Sequence, residues 1–167
     1  MRTCPCIVIR ADEMTLHGER GATFRLSIDG YQFPETTDDR WDANWLFVRG
    51  HVQHAQGEWT FRDPCLTTFE VQELAECLDS IGHGQTSSQE CSFTEPNLRF
   101  EYVDEAAPVI VARFAHESAP PWQLGEERFV GTAQIFPVAL NDLTRVASDL
   151  RAFLRQFPER GEAGGAA

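Results

Sequence analysis

The stretch NWLFVRGHVQHAQGEWTFR, residues 44–62, decides the fold of this chain. Its first half alternates in polarity, and one face of the alternation carries Leu46, Val48 and Val52. Residues 55–57, AQG, are typical of a turn, and the segment EWTFR after them places Trp59 and Phe61 on one side. Parallel strands need a much longer connection than this turn. The stretch therefore predicts two antiparallel strands with one apolar face.

Alternation of period two recurs in four other places. The runs are ATFRLSIDGYQF at 22–33, NLRFEYV at 97–103, PVIVARFAHE at 108–117 and RFVGTAQIFPV at 128–138. The second and third runs are separated by the turn DEAAP and are predicted to form a hairpin. The last run is predicted to be one strand that includes Phe129 and Val130. A short run near the start, CIVIR at residues 6–10, is a further candidate for an edge strand.

Helical periodicity replaces this alternation in TTFEVQELAECLDSIGHG, residues 67–84. Its apolar side chains form one stripe made of Val71, Leu74, Ala75, Leu78 and Ile81. Thr67, followed three residues later by Glu70, predicts a capping box at the start of this helix. A glycine near residue 82 or 84 is predicted to stop it.

A second helix is predicted over residues 141–157, with Asn141 or Asp142 as its N-cap and Pro158 as its stop. Strands, helix, strands and helix in this order predict an α+β fold. We expect a largely antiparallel sheet of about six to seven strands, with packing helices at 67–82 and 141–157.

The length of 167 residues predicts a single domain, which we place at residues 1–158. Residues 84–90, GQTSSQE, are predicted to be a polar connector, and residues 159–167 a disordered tail.

The charge of the chain is strongly negative. Asp and Glu outnumber the basic residues 26 to 14, which gives a formal net charge of −12, and every basic residue is arginine. Such acidity disfavours nucleic acid and anionic membranes as partners and favours a basic partner. No apolar run is long enough to span a membrane, and the N-terminus lacks the pattern of a secretory signal. We therefore predict a cytoplasmic protein whose five cysteines are reduced thiols.

Motifs for cofactors and metals are missing from the sequence. Cys4 and Cys6 are spaced too tightly for a zinc knuckle, and the five histidines are scattered over different predicted elements. No glycine-rich phosphate loop joins a strand to a helix. The sequence predicts no metal, no cofactor and no nucleic-acid partner.

The stretch FAHESAPPW, residues 114–122, contains the residue types of a hydrolase triad. If the preceding strand continues to residue 117, His116 and Glu117 point to opposite faces and cannot act together as base and orienting acid. Ser118 lacks the context of a nucleophile. We therefore predict no catalytic residue here. The two prolines stiffen the backbone, so that Trp122 is either a plug over the core edge or an exposed binding anchor.

The densest acidic segment is PETTDDRWDANW, residues 34–45, which combines Glu35, Asp38, Asp39 and Asp42 with Trp41 and Trp45. It lacks the ligand spacing of a calcium loop. Two interpretations remain open. The segment is either a solvated loop whose tryptophans tuck inward, or an acidic and aromatic recognition surface for a basic partner.

Several segments, in the same order, resemble the WapI family of bacterial immunity proteins. They are GYQFP, WDANWLFV, DPCLTTFEVQEL, SFTEPNLRFEY, FAHESAPPW and DLTRVASDLRAFLRQFP, and the resemblance covers residues 24–158. It implies protection against the toxic C-terminal domain of a contact-dependent toxin of the WapA kind. It also implies that the chain acts in the cytoplasm by stoichiometric binding and is not an enzyme.

The leading hypothesis is therefore an immunity-type protein that binds a cognate, basic toxin domain. Its predicted contact residues are Glu35, Asp38, Asp39, Trp41, Asp42 and Trp122. One alternative is a small-molecule or effector-binding module with a pocket between the sheet and the helices. Another is an enzyme assembled by tertiary convergence of His116, Glu117 or the cysteines. A homodimer is left open as an assembly.

Overall fold

The computed structural model describes residues 13–86, 88–104 and 106–161. These residues form eight β-strands and three α-helices, which are β1 (Met14–His17), β2 (Thr23–Tyr31), β3 (Trp45–His54), β4 (Gly57–Thr67), α1 (Thr68–Gly82), β5 (Ser88–Ser92), β6 (Leu98–Asp104), β7 (Pro108–Phe114), α2 (Glu126–Val130), β8 (Thr132–Pro137) and α3 (Leu140–Gln156). The predicted α+β class and the antiparallel pairing are confirmed.

The strands form two four-stranded sheets, β1–β4 and β5–β8, each in sequence order and each fully antiparallel. In the β3–β4 hairpin, Val52 lies opposite Trp59 and Gly50 lies opposite Phe61. Helix α1 follows β4 directly and separates the first sheet from the second along the chain.

The two sheets share one apolar core, which is centred on the fully buried ring of Phe114. This ring from the second sheet contacts three rings of the first: Phe24 at 4.9 Å, Trp59 at 5.6 Å and Phe61 at 6.2 Å between centroids. The first two contacts are edge-to-face, a geometry that adds about 0.5 to 1.5 kcal/mol per pair beyond the burial of area. Phe114 therefore joins the two sheets into one body.

Helix α1 begins as the sequence predicts. The Thr67 hydroxyl accepts the amide hydrogen of Glu70, and the Glu70 carboxylate accepts the amide hydrogen of Thr67 at 2.8 Å. The helix packs mainly against α3. No helix among the described residues is long and apolar enough to cross a membrane.

The predicted N-cap of the last helix is wrong. Helix α3 starts at Leu140, so that the residue in the cap position is Ala139, which provides no side-chain cap. The helix ends at Gln156, before Pro158.

Three other local predictions are also wrong. Strand β5 lies partly inside the predicted connector, because its backbone pairs with β6 although its sequence, SQECS, has little apolar alternation. Strand β7 ends at Phe114, and a 3-10 turn at His116–Ser118 follows it. Phe129 and Val130 belong to helix α2 and not to the last strand.

Gly131 explains the break between α2 and β8. Its φ of 78° is rarely adopted by other residues, and a side chain at this position would meet the carbonyl oxygen of Phe114 at 2.5 Å. The candidate strand at residues 6–10 lies outside the described residues. So do residues 162–167 of the proposed tail, and the domain boundary at 158 stays a prediction.

Gly50 offers a test of the packing within the first sheet. A β-carbon there would lie 2.0 Å from the ring of Phe61. We expect Gly50→Ala to lower the free energy of unfolding by about 1 to 3 kcal/mol, because the ring must move out of a filled core. Chemical denaturation measures the loss.

The control is a double-mutant cycle with Phe61→Leu, which removes the clashing ring atoms. The double variant should be more stable than the sum of the two single losses predicts. Strict additivity would contradict the proposed clash.

Candidate functional site

The acidic residues predicted from the sequence lie in one loop between β2 and β3, residues 32–44, which we call the acidic loop. A 3-10 turn at Asp42–Asn44 leads from it into β3. The loop contains five of the six predicted contact residues, namely Glu35, Asp38, Asp39, Trp41 and Asp42. All five are exposed.

The side-chain amide of Asn44 holds the loop to the rest of the molecule. This residue is fully buried. Its Nδ2 group donates to the carbonyl oxygens of Arg40 and Arg160, at 2.7 Å each. Its Oδ1 accepts from the hydroxyl of Thr68 at 2.8 Å and from the amide of Arg160 at 2.9 Å. The amide therefore joins the acidic loop, the first residue of α1 and the chain beyond α3.

The guanidinium group of Arg160 closes the loop from the other side. It donates to the carbonyl oxygens of Phe33 at 3.0 Å, of Pro34 at 2.8 Å and of Ala43 at 2.7 and 2.9 Å. Its Cζ also lies 3.5 Å from the centroid of the Tyr31 ring. Both ends of the loop are thus bound to one rigid, charged group.

The four acidic side chains of the loop differ in role. Asp39 accepts hydrogen bonds from the amides of Trp41 and Asp42, each at 2.8 Å, so its carboxylate shapes the turn. Glu35, Asp38 and Asp42 make no side-chain hydrogen bond or ion pair with any described residue. These three carboxylates are therefore available to a partner.

Trp41 is 58% exposed, so it does not tuck inward. The edge of its ring meets the ring of Phe69 in α1, with centroids 5.9 Å apart. The guanidinium of Arg40 lies 5.0 Å from the centroid of the same Phe69 ring. The contact with α1 orients Trp41 while most of its surface stays in solvent.

A groove of about 380 Å³ continues this surface between α1 and the end of α3. Phe69 and Leu154 supply apolar walls, and Glu73 and Glu159 supply carboxylates. The groove therefore combines apolar surface with negative charge. Its chemistry suits the aliphatic stem and charged head of a lysine or arginine side chain.

Trp122 lies at the other end of the first sheet. Its ring packs over Gly57 at the β3–β4 turn and meets Trp59 edge-on, with centroids 5.5 Å apart. Strand β3 has ten residues, so its ends are separated by about 30 Å. The structure therefore does not bring Trp122 together with the acidic loop.

Trp122 instead belongs to a segment with several exposed apolar side chains, residues 122–130, which we call the apolar patch and whose exposed members are Trp122, Leu124, Phe129 and Val130. Trp122 is 44% exposed and the other three between 64% and 72%. Trp122 thus covers the core edge above Trp59, as the plug interpretation predicts, while part of its ring stays exposed; its role as a binding anchor stays a prediction.

The residues of the apparent triad are engaged separately. The Ser118 hydroxyl is buried and is hydrogen-bonded to the backbone of Ala115 and Asn97. The ring of His116 packs against Phe129, with centroids 5.1 Å apart. The Glu117 carboxylate accepts a hydrogen bond from the side chain of Asn97 at 3.3 Å. A nucleophile, base and acid are not aligned in this segment.

Asp63 is the carboxyl group that faces other carboxylates. Its Oδ2 accepts from the side-chain amide of Asn97 at 3.1 Å. Burial, followed by the negative charges of Glu117 and Glu95, raises the pKa of Asp63. No group of three or more His, Cys, Asp or Glu among the described residues is arranged to hold a metal ion.

The residues that shape the site were not found from the sequence. Asn44, Phe69 and Arg160 support the acidic loop, yet Arg160 is 116 positions away from Asn44 along the chain. No local pattern connects such distant residues. Of these three residues, only Phe69 could have been placed near the site from the sequence, because it follows the predicted start of α1.

Over most of its length the chain matches a family model. The model described as the immunity protein WapI-like family matches residues 15–158, which include the acidic loop and both sheets. Neither the search of curated proteins nor the search of solved structures finds a match. The resemblance stated from the sequence is confirmed.

Removal of the Arg160 side chain tests the support of the loop. We expect Arg160→Ala to lower the free energy of unfolding by about 2 kcal/mol, because the partly buried carbonyl groups lose a charged donor. Amide exchange at Ala43 and Asn44, whose amides bond within the loop, should become faster. The matched control is Arg155→Ala, which removes the same charge from an exposed position in α3. Equal losses in the two variants would contradict the role of Arg160.

Asp63 allows a prediction about pH. Its folded-state pKa is raised, so the folded state binds the proton more readily than the unfolded state does. Stability contributed by this group therefore falls as the pH rises from about 4, its unfolded pKa, through the folded pKa. We expect Asp63→Asn to become more stable relative to the wild type as the pH rises from about 4 to 7.

Urea unfolding at several pH values measures this difference, with Glu101→Gln as an exposed control. A wild-type pH profile parallel to that of Asp63→Asn would contradict the inference about Asp63.

Proposed function

The chain belongs to the WapI-like immunity protein family, and on that premise we propose that it binds a cognate toxin domain stoichiometrically and covers the toxin's active site. The partner we propose is the C-terminal domain of a contact-dependent toxin, and the proposed place of action is the cytoplasm. In this proposal the chain needs no catalytic residue, because neutralisation results from occupancy of the toxin surface.

The observation that carries the proposal is the set of three unengaged carboxylates around an exposed tryptophan. Glu35, Asp38 and Asp42 have no described side-chain partner, and Trp41 is 58% exposed beside them. Tryptophan is enriched among interface hot spots, and the rim around such a residue is polar. A basic face on the toxin would complement this surface.

Charge decides the rate of encounter more than the strength of the final complex. The chain carries a formal net charge of −12, which attracts a basic domain over distances of about a Debye length. Exposed ion pairs contribute only about 0 to 1 kcal/mol each to affinity. We therefore propose that the carboxylates steer the toxin and that Trp41 supplies most of the local binding energy.

The groove next to the loop extends the proposed contact. Its apolar walls, Phe69 and Leu154, can pack against the stem of a basic side chain, and Glu73 and Glu159 can bind its charge. Because Phe69 also contacts Trp41, the groove and the loop form a continuous surface. A toxin side chain in the groove would thus lie beside the proposed hot spot.

The rigidity of the loop favours binding. The hydrogen bonds from Asn44 and Arg160 hold the backbone before a partner arrives. A partner then loses less binding free energy to the ordering of the loop. A loop held in this way differs from a flexible, solvated connection, whose backbone would have to be ordered on binding.

The alternative function remains a small-molecule-binding module with a pocket between the sheet and the helices. The grooves identified among the described residues lie between α1 and α3, beside β8 and the β3–β4 turn, and between β6, β7 and α2. Screening of metabolites by thermal shift separates the two proposals, because a bound metabolite would raise the melting temperature.

Neutralisation of the three carboxylates tests the proposal. We expect Glu35→Gln combined with Asp38→Asn and Asp42→Asn to slow association with the cognate toxin domain. The expected loss is about 10-fold at low salt, because steering is weakened. Stopped-flow or surface-based kinetics over a range of salt concentrations measures the association rate.

The matched control neutralises three exposed carboxylates elsewhere, Glu101, Glu126 and Glu127, with the same change in net charge. An equal loss of rate in both triple variants would mean that net charge alone acts, and would contradict a binding surface at the loop.

Replacement of Trp41 and of Trp122, one at a time, tests which end of the first sheet binds the toxin. We expect Trp41→Ala to weaken binding by about 2 kcal/mol or more, which is roughly 30-fold in Kd. Trp122→Ala should change Kd much less, because Trp122 lies at the far end of β3. Calorimetry measures both values. A larger loss of affinity in Trp122→Ala than in Trp41→Ala would contradict an interface at the acidic loop and indicate one at the apolar patch.

A further inference from the structure

Two cysteines on different elements meet at the edge of the core. Cys77 lies on α1 and is 6% exposed, and the half-buried Cys91 lies on β5. Their side chains are hydrogen-bonded to each other. Helix α1 also contacts β5, and Cys91 packs against the apolar cluster that contains Cys77. The fold therefore brings together two thiols that are 14 positions apart in the sequence.

Both thiols are free in the structure. The hydrogen bond from Cys91 favours a negative charge on the sulfur of Cys77 and lowers the pKa of Cys77, although burial opposes this shift. The same hydrogen bond, burial and the charges of Glu73 and Glu90 raise the pKa of Cys91. The lowered pKa favours Cys77 as the thiol that is oxidised first, and Cys91 is the neighbouring thiol that can then attack it.

Cys65 provides a contrast within the same chain. It is fully buried in β4, and burial followed by the charge of Asp63 raises its pKa. No thiol hydrogen bond acts on it among the described residues. Burial, with no second thiol beside it among the described residues, makes Cys65 an inert thiol.

We propose that Cys77 and Cys91 form a peroxide-reactive dithiol site that closes into an intramolecular disulfide between α1 and β5. The proposal concerns a modification site and does not depend on the toxin-binding function. The oxidant class is a small hydroperoxide, because the sulfur of Cys77 is almost covered by protein.

The reaction has two balanced steps. The thiolate of Cys77 attacks one oxygen of hydrogen peroxide, so that the O–O bond breaks, an S–O bond forms and hydroxide leaves to take up a proton as water. The sulfur of Cys91 then attacks the sulfenic acid of Cys77. The S–O bond breaks, the S–S bond forms, and the hydroxyl group leaves as water with the thiol proton. Two thiols and one peroxide thus yield one disulfide and two waters.

The disulfide would fix an edge of the second sheet. Among the described residues, strand β5 is the terminal strand of this sheet and pairs with β6 alone. A bond from Cys77 to Cys91 closes a loop that includes the whole connection from α1 to β5. Closure of such a loop restricts the unfolded chain and raises stability.

The test uses the folded, full-length chain. The protein is treated with hydrogen peroxide, free thiols are alkylated, and peptides are mapped by mass spectrometry. We expect a cross-linked peptide that joins Cys77 to Cys91, and a melting temperature about 5 to 10 °C above that of the reduced protein. A reductant should reverse both changes.

Three variants complete the design. Cys77→Ser and Cys91→Ala should each abolish the cross-link and the thermal shift, whereas Cys65→Ser should retain both. If Cys77→Ser does not fold, Cys91→Ala still tests the cross-link. Cys91 lies half-buried on an edge strand, so its replacement disturbs the core less. Separate oxidation of Cys77 and Cys91 without a cross-link would overturn the proposal. A cross-link of either residue to Cys4, Cys6 or Cys65 in its place would overturn it as well.

Discussion

The buried amide of Asn44 is the interaction on which the candidate binding surface depends. All four of its hydrogen-bonding positions are used, two by donation and two by acceptance. Its partners belong to the acidic loop, to Thr68 at the start of α1 and to Arg160 after α3. A buried polar group is favourable only when it is fully satisfied, so this amide permits one arrangement of the three segments.

This constraint divides the charges of the loop into two groups. Asp39 from within the loop and Arg160 from beyond α3 bind backbone groups of the loop and stabilise its shape. Glu35, Asp38 and Asp42 remain in solvent. The internal charges make the loop rigid, and the external charges make it attractive to a basic surface. Trp41 stands between these groups and offers the apolar area that charge alone does not provide.

The sequence predicted those features that arise from local physics. Alternation predicted the buried faces of β3 and β4, because one side of each strand packs in the core, and the capping box predicted the start of α1. Strand β5 was missed because backbone pairing with β6 compensates for its polar sequence. The division into two sheets could not be predicted, because it depends on which strands meet after α1.

For the site, too, the sequence predicted what depends on neighbouring residues and missed what depends on distant ones. Its acidic and aromatic residues are neighbours in sequence, whereas the support from Arg160 depends on where α3 ends. Trp122 was grouped with the loop by residue type, and the length of β3 places it at the other end of the sheet. Local composition therefore identified a surface, and only the fold defined its extent.

Hydrogen–deuterium exchange of the complex with the cognate toxin domain shows whether the acidic loop is the binding surface. We expect protection of residues 33–44 and of the first turn of α1 on toxin binding, because the partner covers the acidic loop and the adjoining groove. Residues 122–130 should exchange at the rate of the free protein. Protection confined to residues 122–130, with an unchanged acidic loop, would contradict the account.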